Sequence, residues 1–279
     1  MFWTRLASGI VLLIIAIGAM SYGGWVLAAL LCGVSLIAFR ELTKALKCAG
    51  DGNGSGTAPM PGGMEWAGMA GILCYYLLMY FEAGDTFLLM CIVGTFLAAM
   101  FVYVLAFPRY HADQVMAVVF SFLYAPVLLS FVYETRTAPQ GIYTVWTILI
   151  SSWGCDTCAY AVGKLIGRKK IFPVLSPKKS LEGCIGGVLG AALIGWLYGH
   201  LFVGRAFTEE SVDWAIAAIC AAGAVMSMVG DLAASAIKRN HDIKDYGKLI
   251  PGHGGIMDRF DSMIVTAPMT YFLTLLLLP

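Results

Sequence analysis

Four aspartates stand where an apolar sequence has little use for a charge. Asp156 and Asp231 lie within apolar runs, and Asp258 and Asp261 open the last one. A carboxylate at the centre of a bilayer helix costs about 2.5–3.5 kcal/mol on insertion scales, and less near the ends. A metal ion or a basic partner must compensate. Asp231 is followed at helical spacing by Ser235, Lys238 and Arg239 on one face, so a structural ion pair competes with a functional carboxylate. Asp258 and Asp261 can also share a helical face, where acids are ordinary partners of the helix dipole. The preceding Pro251-Gly252-His253-Gly254-Gly255 shifts the balance towards a ligand. Glycines let backbone amides approach closely, and a helix start offers free N–H groups to phosphate. Asp231 on one helix and Asp258 on its neighbour would then hold magnesium, which takes oxygen ligands from one or two carboxylates plus substrate phosphates.

A basic loop, KLIGRKKIFPVLSPKKSLE over residues 164–182, supplies the opposite sign. Ser176, Lys178, Lys179, Ser180 and Glu182 combine paired lysines with two hydroxyls and an acid at a helix start. Lysine is a compact donor for phosphate oxygens. The plainer readings are a topogenic loop or a patch for anionic lipid heads. Asp156 and Tyr160 precede the loop at i,i+4. His253 can be an acid–base group, a phosphate donor or a turn residue, and ligand contact is favoured. His111, His200 and His241 have no evident partners. Cys155 and Cys158 form a C-x-x-C without a second pair or a thioredoxin-like unit. The glycines near Lys170 lack P-loop spacing.

These groups must be carried by membrane helices. The 279 residues are 59% hydrophobic and 13% charged, with mean hydropathy +0.80. Soluble domains are about 45–50% apolar and about 25% charged. The expected fold is an all-α polytopic membrane protein of about nine spans, at roughly 5–21, 24–40, 65–82, 86–107, 115–133, 141–163, 183–203, 212–238 and 259–278. The run after Arg5 reads as a span rather than a signal peptide. With the N-terminus cytoplasmic, all but Arg136 and Arg205 of the 18 lysines and arginines fall inside. The insert 50–63 reads as a flexible loop, and Glu209, Glu210 and Asp213 as a solvated outer turn. A net charge of +1 gives no case for nucleic acid. One membrane domain, 1–279, is expected, with 1–135 as scaffold and dimerisation spans and 136–279 as catalytic spans and loops. No organelle-targeting feature is evident, which points to a bacterial inner membrane.

The stretch from Ser235 to Asp261 reads S-x-[aliphatic]-K-R-x4-K-D-x-G-x2-I-P-x-H-G-G-x2-D-R-x-D. It resembles the signature of the phosphatidate cytidylyltransferases, the CDP-diacylglycerol synthases, without a departure. Ser176 to Gly183 resembles the family's S-P-K-K-T-x-E-G block, with Ser180 in place of threonine and Leu181 where an aromatic is common. Asp156 to Tyr160, with Gly163-Lys164 and Gly167-Arg168, also fits, with Cys158 at a position usually held by a small residue. The resemblance covers about the C-terminal half. It implies that CTP and phosphatidic acid give CDP-diacylglycerol and pyrophosphate at a site facing the cytoplasm. It also implies magnesium, potassium in the same centre in some members, and a homodimer among membrane lipids. Carried onto this chain, Asp231 and Asp258 become metal ligands, with Asp156 and Asp261 as further candidates. Lys238, Arg239 and His253 join the two aspartates as catalytic residues. Ser176, Lys178, Lys179, Glu182, Ser235, Lys244, Asp245, Gly254, Gly255 and Arg259 become the nucleotide and phosphate site. A CTP-dependent lipid kinase is the runner-up. An ion-coupled transporter is disfavoured because no inverted repeat is seen.

Overall fold

Backbone N–H and C=O groups in a bilayer must be satisfied within their own segment, so long apolar runs become helices. The computed structural model describes residues 2–48, 61–204, 212–250 and 254–278. Most of the insert, the turn with Arg205, Glu209 and Glu210, and Pro251-Gly252-His253 lie outside the described residues. The helices are α1 Phe2–Tyr22, α2 Gly24–Ala45, α3 Gly63–Tyr80, α4 Asp85–Leu105 and α5 Ala112–Thr137. They continue with α6 over 141–166, α7 Leu181–Val203, α8 Val212–Asn240 and α9 Met257–Leu277. Among the described residues there is no strand, only isolated bridges at Lys170–Ser180 and Ile250–Gly254. Among the described residues, six helices, α2, α4, α5, α7, α8 and α9, are long and apolar enough to cross a membrane. The architecture is that of an all-α polytopic membrane protein.

The chain gathers into two compact units. The first joins Met1–Ser130 to His241–Arg259, so most of the polar stretch belongs with the N-terminal helices. Its anchor is Glu65 in the first turn of α3, fully buried at 0% exposure. Glu65 accepts from the Arg40 guanidinium, from Thr43 Oγ1 at 2.7 Å and from the Gly62 amide at 2.7 Å. A buried charge survives when its lone pairs are answered in this way. Nearby, Ser35 and Tyr76 share a 2.8 Å hydrogen bond between α2 and α3. The Tyr76 hydroxyl also donates to Pro126 O at 3.3 Å. Pro126 sits in a π-helical turn of α5, as expected where proline removes an N–H donor from a helix interior.

The second unit joins Phe131–Asn240 to Phe260–Pro279. Here α6 and α7 meet along small residues. A Cβ on Gly187 would stand 3.0 Å from Cys155 Sγ, and one on Gly190 would stand 2.6 Å from Cys158 Sγ. Membrane helices use such small-residue seams to approach closely. All eight cysteines are free, and Cys155 and Cys158 pack in this seam. Gly195 packs against Cys220 in the same way, bringing α7 onto α8. Two readings change at the far end. His200 has a partner, since its Nδ1 lies 2.9 Å from Asp213 Oδ2 and its ring stacks on Trp196. Asp213 is therefore not simply a solvated turn acid; one helical crossing brings it beside a histidine that sequence spacing could not pair.

Glu65→Ala should remove the buried acceptor shared by Arg40, Thr43 and the Gly62 amide, at a cost of about 3–5 kcal/mol. Thermal unfolding in detergent should show a clearly lowered midpoint. An unchanged midpoint would mean that the cluster does not tie α2 to α3.

Candidate active site

The basic loop is held by its own backbone rather than left as a flexible tether. Ser180 is the N-cap of α7, and its Oγ accepts the Gly183 amide at 3.2 Å. Glu182 turns back to accept the Arg168 amide at 3.0 Å and the Lys169 amide at 3.3 Å. The Leu181 amide donates to Lys169 O at 2.8 Å, and Lys170 Nζ donates to Lys178 O at 3.0 Å. Gly167 fits because a Cβ there would collide with Gly163 O and Ser180 Oγ.

This loop and α6 enclose a cavity of about 430 Å³. Small-molecule sites commonly span about 300–1,000 Å³. Lys164, Lys170, Lys178 and Lys179 line it, with Asp156, Tyr160 and Ser180. Four ammonium groups against one carboxylate suit a polyanion. Lys179 reaches across to α8, where its Nζ stands 2.5 Å from Asp231 Oδ2. The ion-pair partner of Asp231 is thus the loop lysine, where helical spacing had suggested Lys238 or Arg239. Residues seven and eight further on stand about 10–12 Å away along the axis at 1.5 Å per residue, while the long Lys179 side chain reaches Asp231 from the loop.

Asp261 on α9 is nearly buried, at 6% exposure. The charges of Asp231, Lys238 and Asp156 all act on it, and its Oδ1 accepts the Ser262 amide at 2.8 Å. Gly230 permits this approach of α8 to α9, since a Cβ there would stand 2.6 Å from Asp261 O. The second unit therefore brings together Asp156, Asp231, Asp261, Lys178, Lys179 and Lys238. Ser235 and Lys238 are half-buried on α8, and Arg239 is exposed. Ser176 and Glu182 are half-buried in and beside the basic loop, whose Lys178 is exposed.

In the first unit, Asp258 folds back on the signature loop. Its Oδ2 accepts the Tyr246 amide at 2.9 Å and the Gly255 amide at 3.0 Å. Gly254, at φ +89, makes the turn that permits this. Lys244 and Asp245 are exposed, and Arg259 is half-buried. His253 lies outside the described residues. The amides expected to face a phosphate at the start of α9 are differently used. Those of Ile256 and Met257 donate to Glu41 on α2, at 3.2 and 2.8 Å. Sequence reasoning missed Glu41, whose one signal was an acid set at the end of an apolar run beside Arg40.

Among the described residues, no three His, Cys, Asp or Glu side chains form a ready-made metal cage. The donor set is nevertheless of the oxygen type that magnesium uses with only one or two carboxylates and substrate phosphates.

These features place the chain in a class, and comparison with known proteins defines it. The cytidylyltransferase family model matches residues 3–277, so the chain belongs to that family. It is 32% identical over 163 residues to a phosphatidate cytidylyltransferase of Bacillus subtilis, covering 58% of each chain. It is 34% identical over 152 residues to one of Staphylococcus aureus, covering 53% of this chain and 55% of the other. It is 41% identical over 125 residues to one of Thermotoga maritima, covering 44% and 46%. The chain spans about half the length of the curated relatives it matches.

Glu182→Ala should release the Arg168 and Lys169 amides. Their hydrogen exchange should quicken by about tenfold or more, in keeping with loss of a charge-assisted bond of about 1.5–3 kcal/mol. Unchanged protection would show that the loop closes without Glu182.

Proposed function

We propose that the protein is a phosphatidate cytidylyltransferase. It transfers CMP from CTP to phosphatidic acid, giving CDP-diacylglycerol and pyrophosphate for phospholipid synthesis. The observation that carries this reading is the lysine-lined cavity, one of whose lysines, Lys179, pairs with Asp231 on α8. The substrates are both anionic, and one of them resides in the membrane.

The phosphate of phosphatidic acid is itself the nucleophile. Its oxygen bonds to the α-phosphorus of CTP, the bond to the bridging oxygen breaks, and pyrophosphate leaves with the electron pair. Phosphatidate is already ionised near neutral pH, because the second pKa of a phosphomonoester is about 6. No enzyme nucleophile or strong base is needed, so positioning and charge neutralisation carry the step. Lys164, Lys170, Lys178 and Lys179 neutralise the triphosphate. Ser180 and Glu182 hold the loop that presents the lysines. Lys179 exchanges its Asp231 partner for a phosphate oxygen.

Asp231 and Asp258 are the proposed metal ligands, with Asp156 and Asp261 as further oxygen donors. The amide bonds to Asp258 Oδ2 support its role, since ligating carboxylates are themselves commonly hydrogen-bonded. Bound magnesium, with potassium beside it, would supply further charge neutralisation on the phosphates. Lys238, Arg239 and His253 complete the proposed catalytic set. Ser176, Ser235, Lys244, Asp245, Gly254, Gly255 and Arg259 complete the nucleotide and phosphate contacts.

The reading also includes nine spans with the N-terminus and active site at the cytoplasmic face of a bacterial inner membrane, and a homodimer. Supporting the orientation, the Glu41 bonds join the C-terminal end of α2 to the start of α9. Gln114 Nε2 donates to Lys47 O at 3.0 Å, joining the start of α5 to the same end. Arg40, Lys44 and Lys47 thus share a level with the signature loop, as positive-inside topology requires.

Purified protein given labelled CTP, phosphatidate and magnesium should place CMP in the lipid, whereas a lipid kinase would transfer only the terminal phosphate. Chelation should stop turnover, and magnesium should restore it. Asp231→Asn and Asp258→Asn should each lower turnover by more than about 100-fold while the protein still inserts and folds. Near-normal turnover of either variant at saturating magnesium would remove that residue from the metal site.

A further inference from the structure

We infer that Glu41 is a positioning residue, which reaches from α2 into the signature loop and fixes the backbone that carries Asp258. Its carboxylate accepts the Ile256 and Met257 amides, across 215 and 216 positions of sequence. Asp258 takes the adjoining Gly255 amide and the Tyr246 amide. Three consecutive amides, Gly255 to Met257, together with that of Tyr246, are therefore divided between two carboxylates. A charged acceptor at a helix start is favoured both by its hydrogen bonds and by the helix dipole.

The receptor for Glu41 is built from absence as well as from donors. A Cβ on Gly247 would collide with the Glu41 carboxylate, and so would one on Gly255. Neither glycine has a positive φ that would demand glycine on backbone grounds. Glycine at these two signature positions thus leaves room for the Glu41 carboxylate where it now lies. Arg40, the next residue, is held by buried Glu65 on α3, so Glu41 projects from a helix that is itself pinned. Glu41 touches loop backbone, and its effect on chemistry is exerted through Asp258.

The kinetic arm of the test rests on the proposed cytidylyltransfer, and the other two arms do not. In full-length protein in detergent, Glu41→Ala should release the Ile256 and Met257 amides to hydrogen exchange and leave α3 protection unchanged. Its kcat should fall by about tenfold or more while KM for CTP moves much less, because misplacement by about 1 Å is costly to the transition state. Glu41→Gln keeps one acceptor oxygen but sets an NH2 against the other amide, so its kcat should fall between those of wild type and Glu41→Ala. Gly247→Ala should lower the unfolding midpoint, and adding Glu41→Ala should bring no further loss beyond that of Glu41→Ala alone, the signature of direct coupling. Additive losses, unchanged exchange at Ile256 and Met257, or full kcat in Glu41→Ala would overturn the inference. A wild-type protein with no CMP transfer would overturn the activity reading instead, leaving the exchange and coupling arms to decide the role of Glu41.

Discussion

An ionised carboxylate among apolar helices persists only where its oxygens are answered. This constraint shapes both compact units of the protein. Glu65 answers it with a guanidinium, a hydroxyl and an amide, all within a closed cluster. Glu41 and Asp258 answer it with backbone amides. Asp231 answers it with a lysine from a loop, and there both side chains keep access to solvent, at 20% for Lys179 and 31% for Asp231. Glu65 is fully enclosed by its partners. The open pair can be parted by a ligand that offers each partner a substitute, an exchange that the enclosed Glu65 does not offer.

The glycines serve the same division. In the α6–α7 seam they bring together the backbones of two helices that line the lysine cavity. In the signature stretch they make room for a carboxylate from another helix. Ser180 and Glu182 close the basic loop with bonds to its own amides, so its lysines are presented from an ordered backbone. Long flexible side chains then do the reaching, and the backbone behind them need not move.

Much of this was legible in the sequence, because apolar length and polar breaks set helices directly. The apolar runs and the helices coincide closely at α2, α7 and α8. The residue types of the site, paired lysines and isolated aspartates, were also visible. What spacing could not show was partnership. It reports neighbours on one helix, so the ion-pair reading of Asp231, weighed against a functional carboxylate, named Lys238 or Arg239 and not Lys179. It also left the start of α9 with free amides, because their acceptor stands more than two hundred residues earlier. The pairing of His200 with Asp213 was hidden for the same reason. Tertiary contacts between distant helices leave no periodic trace.

The Lys179–Asp231 pair has a consequence for how the proposed substrates would enter. Separating the pair alone leaves a carboxylate and an ammonium without partners in a partly desolvated place, which is costly for each. A phosphate at Lys179 compensates one half, and a cation at Asp231 compensates the other. Neither exchange is favourable without its counterpart, so the two binding events are coupled. By linkage the coupling is reciprocal: whatever affinity the nucleotide gains from the cation, the cation gains from the nucleotide. In the proposed reaction a single ion pair would thus link nucleotide and cation occupancy without a moving domain.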